Sequence, residues 1–265
     1  MLGAIIGDLA GSIYEFDQIR NTHPVIIDNI IENNAFFSDD TILTVAILDA
    51  IVSKIDYGQK LKEYGKKHEK YMPDSKPYFA TIFSPGFSKW VNGDYVGNSM
   101  GNGAMMRVSS VGYLFNSEKD VLENAKLATI PSHNDEFAIH CAQIVSLIIF
   151  YFRQGYSKEY VINKLKLKIQ KPNIYKFNYT CEDTLDVCLY SLFNSSCFED
   201  SIKLAISFGG DTDTNACIVG SMAEALYGID NELIEIALSK LPKEFVEILK
   251  KVYPKPYFNK NILCK

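Results

Sequence analysis

The chain lacks most of what would place it in a membrane, on nucleic acid or in an oxidising compartment. The apolar run at 144–152 is far shorter than the roughly 20 residues a spanning helix needs. Asp8 and Glu15 interrupt the apolar first sixteen residues, and no cationic leader or cleavage signature precedes them, so a signal peptide is not expected. Basic charge is not in excess: 27 Lys and Arg stand against 32 Asp and Glu, for a net charge of −5. The lysines between 60 and 70 are interrupted by Glu63, Tyr64 and Glu69 and read as a solvated helix face. A nucleic-acid surface is therefore not expected. The cysteines (Cys141, Cys181, Cys188, Cys197, Cys217, Cys264) form no C-x-x-C pair, which makes reduced, partly buried thiols and a cytoplasmic protein the expectation. There is no internal repeat, no Pro-rich linker and no series of alternating strands. One all-α domain over 1–265, a compact orthogonal bundle and a monomer, is the economical reading.

Helical periodicity fills much of the chain. Residues 3–14 read as a buried helix with Gly3, Gly7 and Gly11 on one face, where a second helix can approach closely. Ser38 caps a helix over 38–54 that is apolar almost all round and hence central. Residues 83–103 carry Pro85, Gly86, Gly93, Gly97, Gly101 and Gly103 and read as long loops of the functional kind. Asn134 or Ser132 caps a helix ending near 152. Further helices are expected over 157–169, 182–193, 200–208, 214–227, 230–240 and 242–252, with 172–180 as a connector and Pro242 as a first helical residue. The helix at 214–227 is rich in small residues and closes at Gly228.

Two acidic boxes carry the chemistry: Ser38-Asp39-Asp40-Thr41 and Gly209-Gly210-Asp211-Thr212-Asp213-Thr214. Each sets carboxylates and a hydroxyl at the start of a helix suited to the core. Buried carboxylates are costly unless compensated, and hard cations select oxygen ligands. A metal site shared by the two boxes follows. An EF-hand does not, because Ala216 and Met222 occupy the positions where its loop needs Gly and Glu. A phosphoaspartyl box at a strand end does not either, because the preceding segment looks helical.

Ordered motifs along nearly the whole chain resemble the ADP-ribosylglycohydrolase family. They are Gly3-Ala4-Ile5-Ile6-Gly7-Asp8 with Gly11-Ser12-Ile13-Tyr14-Glu15, then Ser38-Asp39-Asp40-Thr41, Gly101-Asn102-Gly103-Ala104-Met105-Met106-Arg107-Val108, Ser132-His133-Asn134, and the second acidic box. The resemblance implies an all-helical fold with a dinuclear Mg²⁺ or Mn²⁺ centre held by Ser38, Asp39, Asp40, Asp211, Asp213 and Thr214. The family usually has Thr where this chain has Ser38. Glu15 and Asp39 would handle protons or the reacting ribose. Ser99, Met100, Gly101, Asn102, Gly103 and His133 would line the ADP-ribose site, with Ser84, Gly86 and Phe87 as a second phosphate-side loop. Glycines there would let backbone N–H groups reach phosphate oxygens. Arg107 reads as a structural hydrogen-bond donor and His140 as core.

The implied activity is hydrolysis of the bond between ADP-ribose and a modified acceptor, through an oxocarbenium-like state. The partner would be an ADP-ribosylated protein. The stretch Ser12-Ile13-Tyr14-Glu15 looks closer to the serine- and polymer-cleaving branch. Two other classes stay open: a non-catalytic ADP-ribose-binding or structural member, and a metal-dependent nucleotide phosphohydrolase.

Overall fold

The computed structural model describes residues 1–15, 27–73, 81–93, 96–173 and 177–253. Among them every regular element is a helix, and the extended backbone amounts to isolated bridges, Asn98 with His133 and Gly101 with Thr180. The centre is a pair of helices built for close approach. All of α1 (Leu2–Gly11) is buried. It runs antiparallel to α12 (Thr212–Tyr227), the small-residue helix. A Cβ on Gly3, Gly7 or Gly11 would lie 2.1 Å from Gly220 O, 2.0 Å from Ala216 O or 2.2 Å from Thr212 O. Only glycine permits that backbone-to-backbone contact. The Thr212 hydroxyl donates to Gly11 O at 2.8 Å, so the end of α1 meets the start of α12.

Helix α2 (Asp39–Ser53) crosses this pair, buried without a break from Asp40 to Ala50. Ser38 caps it as expected, its hydroxyl accepting from Asp40 N. Around this core the chain adds α3 (Tyr57–Lys67), α4 (Pro85–Asn92), α5 (Gly103–Met106), α6 (Ser109–Leu114) and α7 (Glu118–Thr129). There follow α8 (Glu136–Arg153), α9 (Lys158–Leu165), α10 (Cys181–Phe193), α11 (Phe198–Ser207), α13 (Asn231–Ser239) and α14 (Lys243–Lys250). The all-helical architecture matches expectation.

Several local expectations are corrected. Residues 83–103 are not all loop: Ser84 caps α4 by accepting from Phe87 N, Pro85 opens the helix, and Gly93 closes it in the left-handed region at φ 87°. The cap of α8 is Asp135, not Asn134 or Ser132. Helix α9 stops at Leu165, where Lys166 turns left-handed. Pro242 is the cap of α14, just before its first turn. Lys60 is not on a solvated face; it is buried and paired with Asp49 at 2.8 Å. His140 is exposed rather than core. By length and composition α8 is apolar enough to cross a membrane, but most of it is buried inside the bundle. Cys141, Cys181, Cys188 and Cys217 are buried free thiols as expected; Cys197 is disulfide-bonded, against expectation, and Cys264 lies outside the described residues.

Candidate metal centre and cavity

The helix crossing brings the two acidic boxes together. Thr214, in the first turn of α12, donates its hydroxyl to Asp40 Oδ2 of α2 at 3.0 Å across 174 residues of sequence. Asp8 of α1 joins them from beneath. Its Oδ2 accepts from Ser38 N at 2.9 Å, Thr41 N at 3.0 Å and Thr41 Oγ1 at 2.5 Å, fixing the first turn of α2. Carboxylate oxygens of Asp8, Asp40 and Asp213 lie within 4.8 Å of one another, and so do those of Glu15, Asp211 and Asp213. Asp213 is common to both groups. Asp39 lies in neither, but it lines the cavity above them.

The second box is held open by a polar scaffold. Gly210 adopts φ 76°, and a Cβ there would meet Asn178 Oδ1 at 2.0 Å. Asp211 N donates to that same Oδ1 at 2.9 Å, and Asn178 Nδ2 donates to Asn215 Oδ1 at 2.7 Å. Asn102 then donates to Asp211 Oδ2 at 2.8 Å, tying the glycine loop to the acidic floor.

Among the described residues this acidic floor has no internal counter-ion: no ammonium or guanidinium is within ion-pair distance of Asp8, Asp40, Asp211 or Asp213. Burial, then the neighbouring Asp213, pushes Asp8 up to about 7. The same two causes, in that order, push Asp39, Asp40 and Asp211 well above the carboxylate range. Asp8 Oδ1 and Asp40 Oδ1 are buried with no hydrogen-bond partner. Buried oxygens of this kind, in an all-oxygen donor set, fit hard divalent cations.

Above the floor lies a cavity of about 610 Å³, in the range that takes a small-molecule ligand. Of the site residues expected from sequence, Glu15, Ser38, Asp39, Asp40, Ser84, Phe87, Ser99, Gly101, Asn102, Gly103, His133, Asp211, Asp213 and Thr214 all line it. Gly86 and Met100 do not. Gly86 is exposed in the first turn of α4, with nothing within 4 Å of where a Cβ would be, and Met100 is 62% exposed.

Residues 1–256 match the family model described as ADP-ribosylglycohydrolase. The chain belongs to that family. It is 23% identical over 280 residues to the ADP-ribosylarginine hydrolase Tri1 of Pseudomonas putida (strain GB-1), covering 93% of this chain and 72% of the relative. It is 22% identical over 313 residues to the human ADP-ribosylhydrolase ARH3, covering 87% and 85%. A solved ADP-ribosylglycohydrolase-related protein complex shares the fold at TM-score 0.65 and 18% identity, over 93% of this chain and 90% of that one.

The structure also reshapes the glycine loop of this family member. The Gly101 N–H is taken by Ser99 Oγ at 3.0 Å and the Asn102 N–H by Tyr179 O at 2.9 Å. The loop therefore offers fewer backbone donors to an anion than its glycines suggest. Sequence reading also missed Asp8, Phe83 and Tyr179. Asp8 carried a readable signal: it is the one charged residue in a helix otherwise of Gly, Ala, Leu and Ile. Phe83 and Tyr179 line the cavity from segments flanking helices, and nothing in their local sequence marks them.

Proposed function

We propose that the chain is a divalent-metal-dependent hydrolase that releases ADP-ribose by cleaving at its ribose C1″. The supporting observation is the meeting of the two acidic boxes, with their unpartnered buried oxygens, at the bottom of a ligand-sized cavity. Ser38, Asp39, Asp40, Asp211, Asp213 and Thr214 would hold two Mg²⁺ or Mn²⁺ ions. Asp8 contributes by setting the turn that carries Ser38 and Thr41, and its unpartnered Oδ1 adds a further oxygen donor to the group it forms with Asp40 and Asp213. Bound there, such ions supply Lewis-acid stabilisation and a more acidic water.

The remaining chemistry belongs to side chains. Glu15 stands beside Asp211 and Asp213 at the cavity edge, placed to accept a hydrogen bond from a ribose hydroxyl or to move a proton. Asp39 also faces the cavity and is the second candidate for that proton. Asn102 keeps Asp211 in position and spends no charge doing so. Phe83 and Tyr179 offer aromatic faces for a base.

The acceptor is taken first from the relatives: arginine, named for the Pseudomonas enzyme, and serine, the branch suggested by Ser12-Ile13-Tyr14-Glu15. Turnover with Mg²⁺ on arginine- and serine-linked ADP-ribosyl peptides, following free ADP-ribose, tests the proposal. Release from either supports a glycohydrolase and names its linkage. ADP-ribose binding with no release from any linkage would favour the non-catalytic reading, and phosphate release would favour a phosphohydrolase.

A further inference from the structure

A second cavity, of about 340 Å³, lies between α13 and α14. Leu2, Ile234, Leu238, Val246 and Leu249 form its apolar lining. Asn231, also in its wall, holds Oδ1 buried with no hydrogen-bond partner. An apolar groove with an unmet acceptor fits a peptide segment, which brings apolar side chains and backbone N–H groups together.

Two anchors fix where such a segment enters and where it leaves. Tyr253 donates its hydroxyl to Glu224 Oε1 at 2.7 Å and accepts from Leu2 N at 3.0 Å, so the chain passes 253 beside the groove. One turn further along α12, Tyr227 donates to Ser195 O at 2.7 Å. Cys197, just beyond Ser195, precedes α11 with its side chain making no capping hydrogen bond, and its sulfur is held in a disulfide. Cys141, Cys181, Cys188 and Cys217 are free thiols, which leaves Cys264 as the remaining cysteine of the sequence.

Residues 254–265 lie outside the described ones, and their sequence suits this route. Tyr257, Phe258, Ile262 and Leu263 are apolar, and Lys255, Lys260 and Lys265 are charged, with no acidic residue among them. The facing surface is acidic: Glu232 and Glu235 on α13, Glu199 and Asp200 in the first turn of α11. At full extension the stretch from 253 to 264 reaches about 36 Å, whereas α13 is about 13 Å long. The segment is long enough to follow the groove and still reach Cys197.

We propose that residues 254–263 lie along the groove between α13 and α14, and that a disulfide between Cys197 and Cys264 fixes their far end. The segment then straps the last two helices onto α1 and α12. Forming the bond from two thiols releases two protons and two electrons. Thiol–disulfide exchange passes them to a small-molecule disulfide, which leaves as two thiols. The closed loop also restricts the unfolded chain, so the strap adds stability.

The test uses the full chain purified without reductant, denatured in alkylating agent and digested with trypsin. Mass spectrometry should find peptide 261–265 disulfide-linked to peptide 177–203, with Cys181 and Cys188 alkylated. Cys264 recovered as an alkylated thiol would overturn the disulfide. A linked product of twice the chain's mass on non-reducing electrophoresis would join two copies and overturn the strap within one chain. Cys264→Ser should melt at least about 5 °C lower than wild type. Its α13 and α14 amides should exchange hydrogen about tenfold faster, with those of α2 unchanged. A wild type that carries the disulfide, beside a Cys264→Ser protein with unchanged exchange in α13 and α14, would overturn the docking in the groove and leave the disulfide standing.

Discussion

Helix α2 carries two buried aspartates, nine residues apart, that meet opposite fates. Asp49 is compensated from within. Burial pushes its carboxyl up, but Lys60 at 2.8 Å, Ser53 Oγ at 2.8 Å and Tyr64 OH at 3.2 Å together outweigh that, and its pKa falls below the ordinary value. Asp40 has hydroxyls and its own neighbours' carboxylates but, among the described residues, no cation, and its pKa rises well above the ordinary value. A protein that can place a lysine against one aspartate could have done so for the other. Leaving Asp40 without one, at the bottom of a cavity, keeps a place for a charge from outside. One end of α2 is finished as structure; the other is finished only by a ligand.

The strongest way to break the comparison is at the residue both acidic groups share. Asp213→Ala should lower turnover by about a thousandfold or more, equivalent to about 4 kcal/mol of transition-state stabilisation. Steady-state release of ADP-ribose measures it, and metal titration should show the affinity lost in parallel. A variant that keeps full activity in chelator-treated buffer would sink the metal model.

Removing the metal should come next in size. At a hundredfold excess over its Kd, a divalent ion should add about 2.7 kcal/mol of stability, visible as a melting shift between Mg²⁺ and chelator. The metal-free folded state holds its acidic protons more tightly than the unfolded chain. Its stability is therefore greatest below the ordinary value of 3.8 and is lost as pH rises toward about 7 for Asp8. Ions must displace more of those protons at pH 5 than at pH 7. The stabilisation by Mg²⁺ should accordingly be larger at pH 7 than at pH 5, and an equal shift at both would contradict the buried-carboxylate account.

Lys60→Met converts Asp49 into a second Asp40. With both side chains about 10% exposed, the loss should be about 1–3 kcal/mol in denaturant unfolding at pH 7, and catalysis should be little changed. Because the Asp49 pKa is depressed, its share of stability is complete above 3.8 and disappears as pH falls through the folded value. The gap between wild type and variant should thus narrow below pH 4. A gap independent of pH would mean that Lys60 matters through its apolar stem instead.

The two ends of α2 also differ in how readable they were. The cap at Ser38, the acidic boxes and the Gly3–Gly7–Gly11 face could be read because each depends on local residue type and spacing: a hydroxyl before a helix, or glycines four apart. The Asp49–Lys60 pair could not, because Lys60 lies in a stretch whose composition says solvent, and only the packing of α3 on α2 buries it. In sequence Asp8 reads as an interruption and not as a member of the floor, since its partners are 30 residues or more away. The resemblance implies a phosphate-side loop at Gly86, and Pro85 and Gly86 read as loop, whereas here they open a capped helix. Ser132 read as a possible helix cap; its hydroxyl is instead occupied by Arg107 and His133.

The smallest expected effect lies at Ser38, where the family pattern has threonine. Its hydroxyl has two duties in this structure: it accepts from Asp40 N at 3.2 Å as the helix cap and donates to Asp40 Oδ2 at 3.2 Å. A serine can leave that rotamer at little cost, while a β-branched threonine is held more firmly at χ1. Ser38→Thr should therefore tighten Mn²⁺ binding by no more than about fivefold, or about 1 kcal/mol, with the cap and the melting temperature nearly unchanged. Calorimetric titration of both proteins measures it. Weaker binding in the threonine variant would show that the methyl does not fit beside Asp8 and Thr41, and that this floor has been repacked around serine.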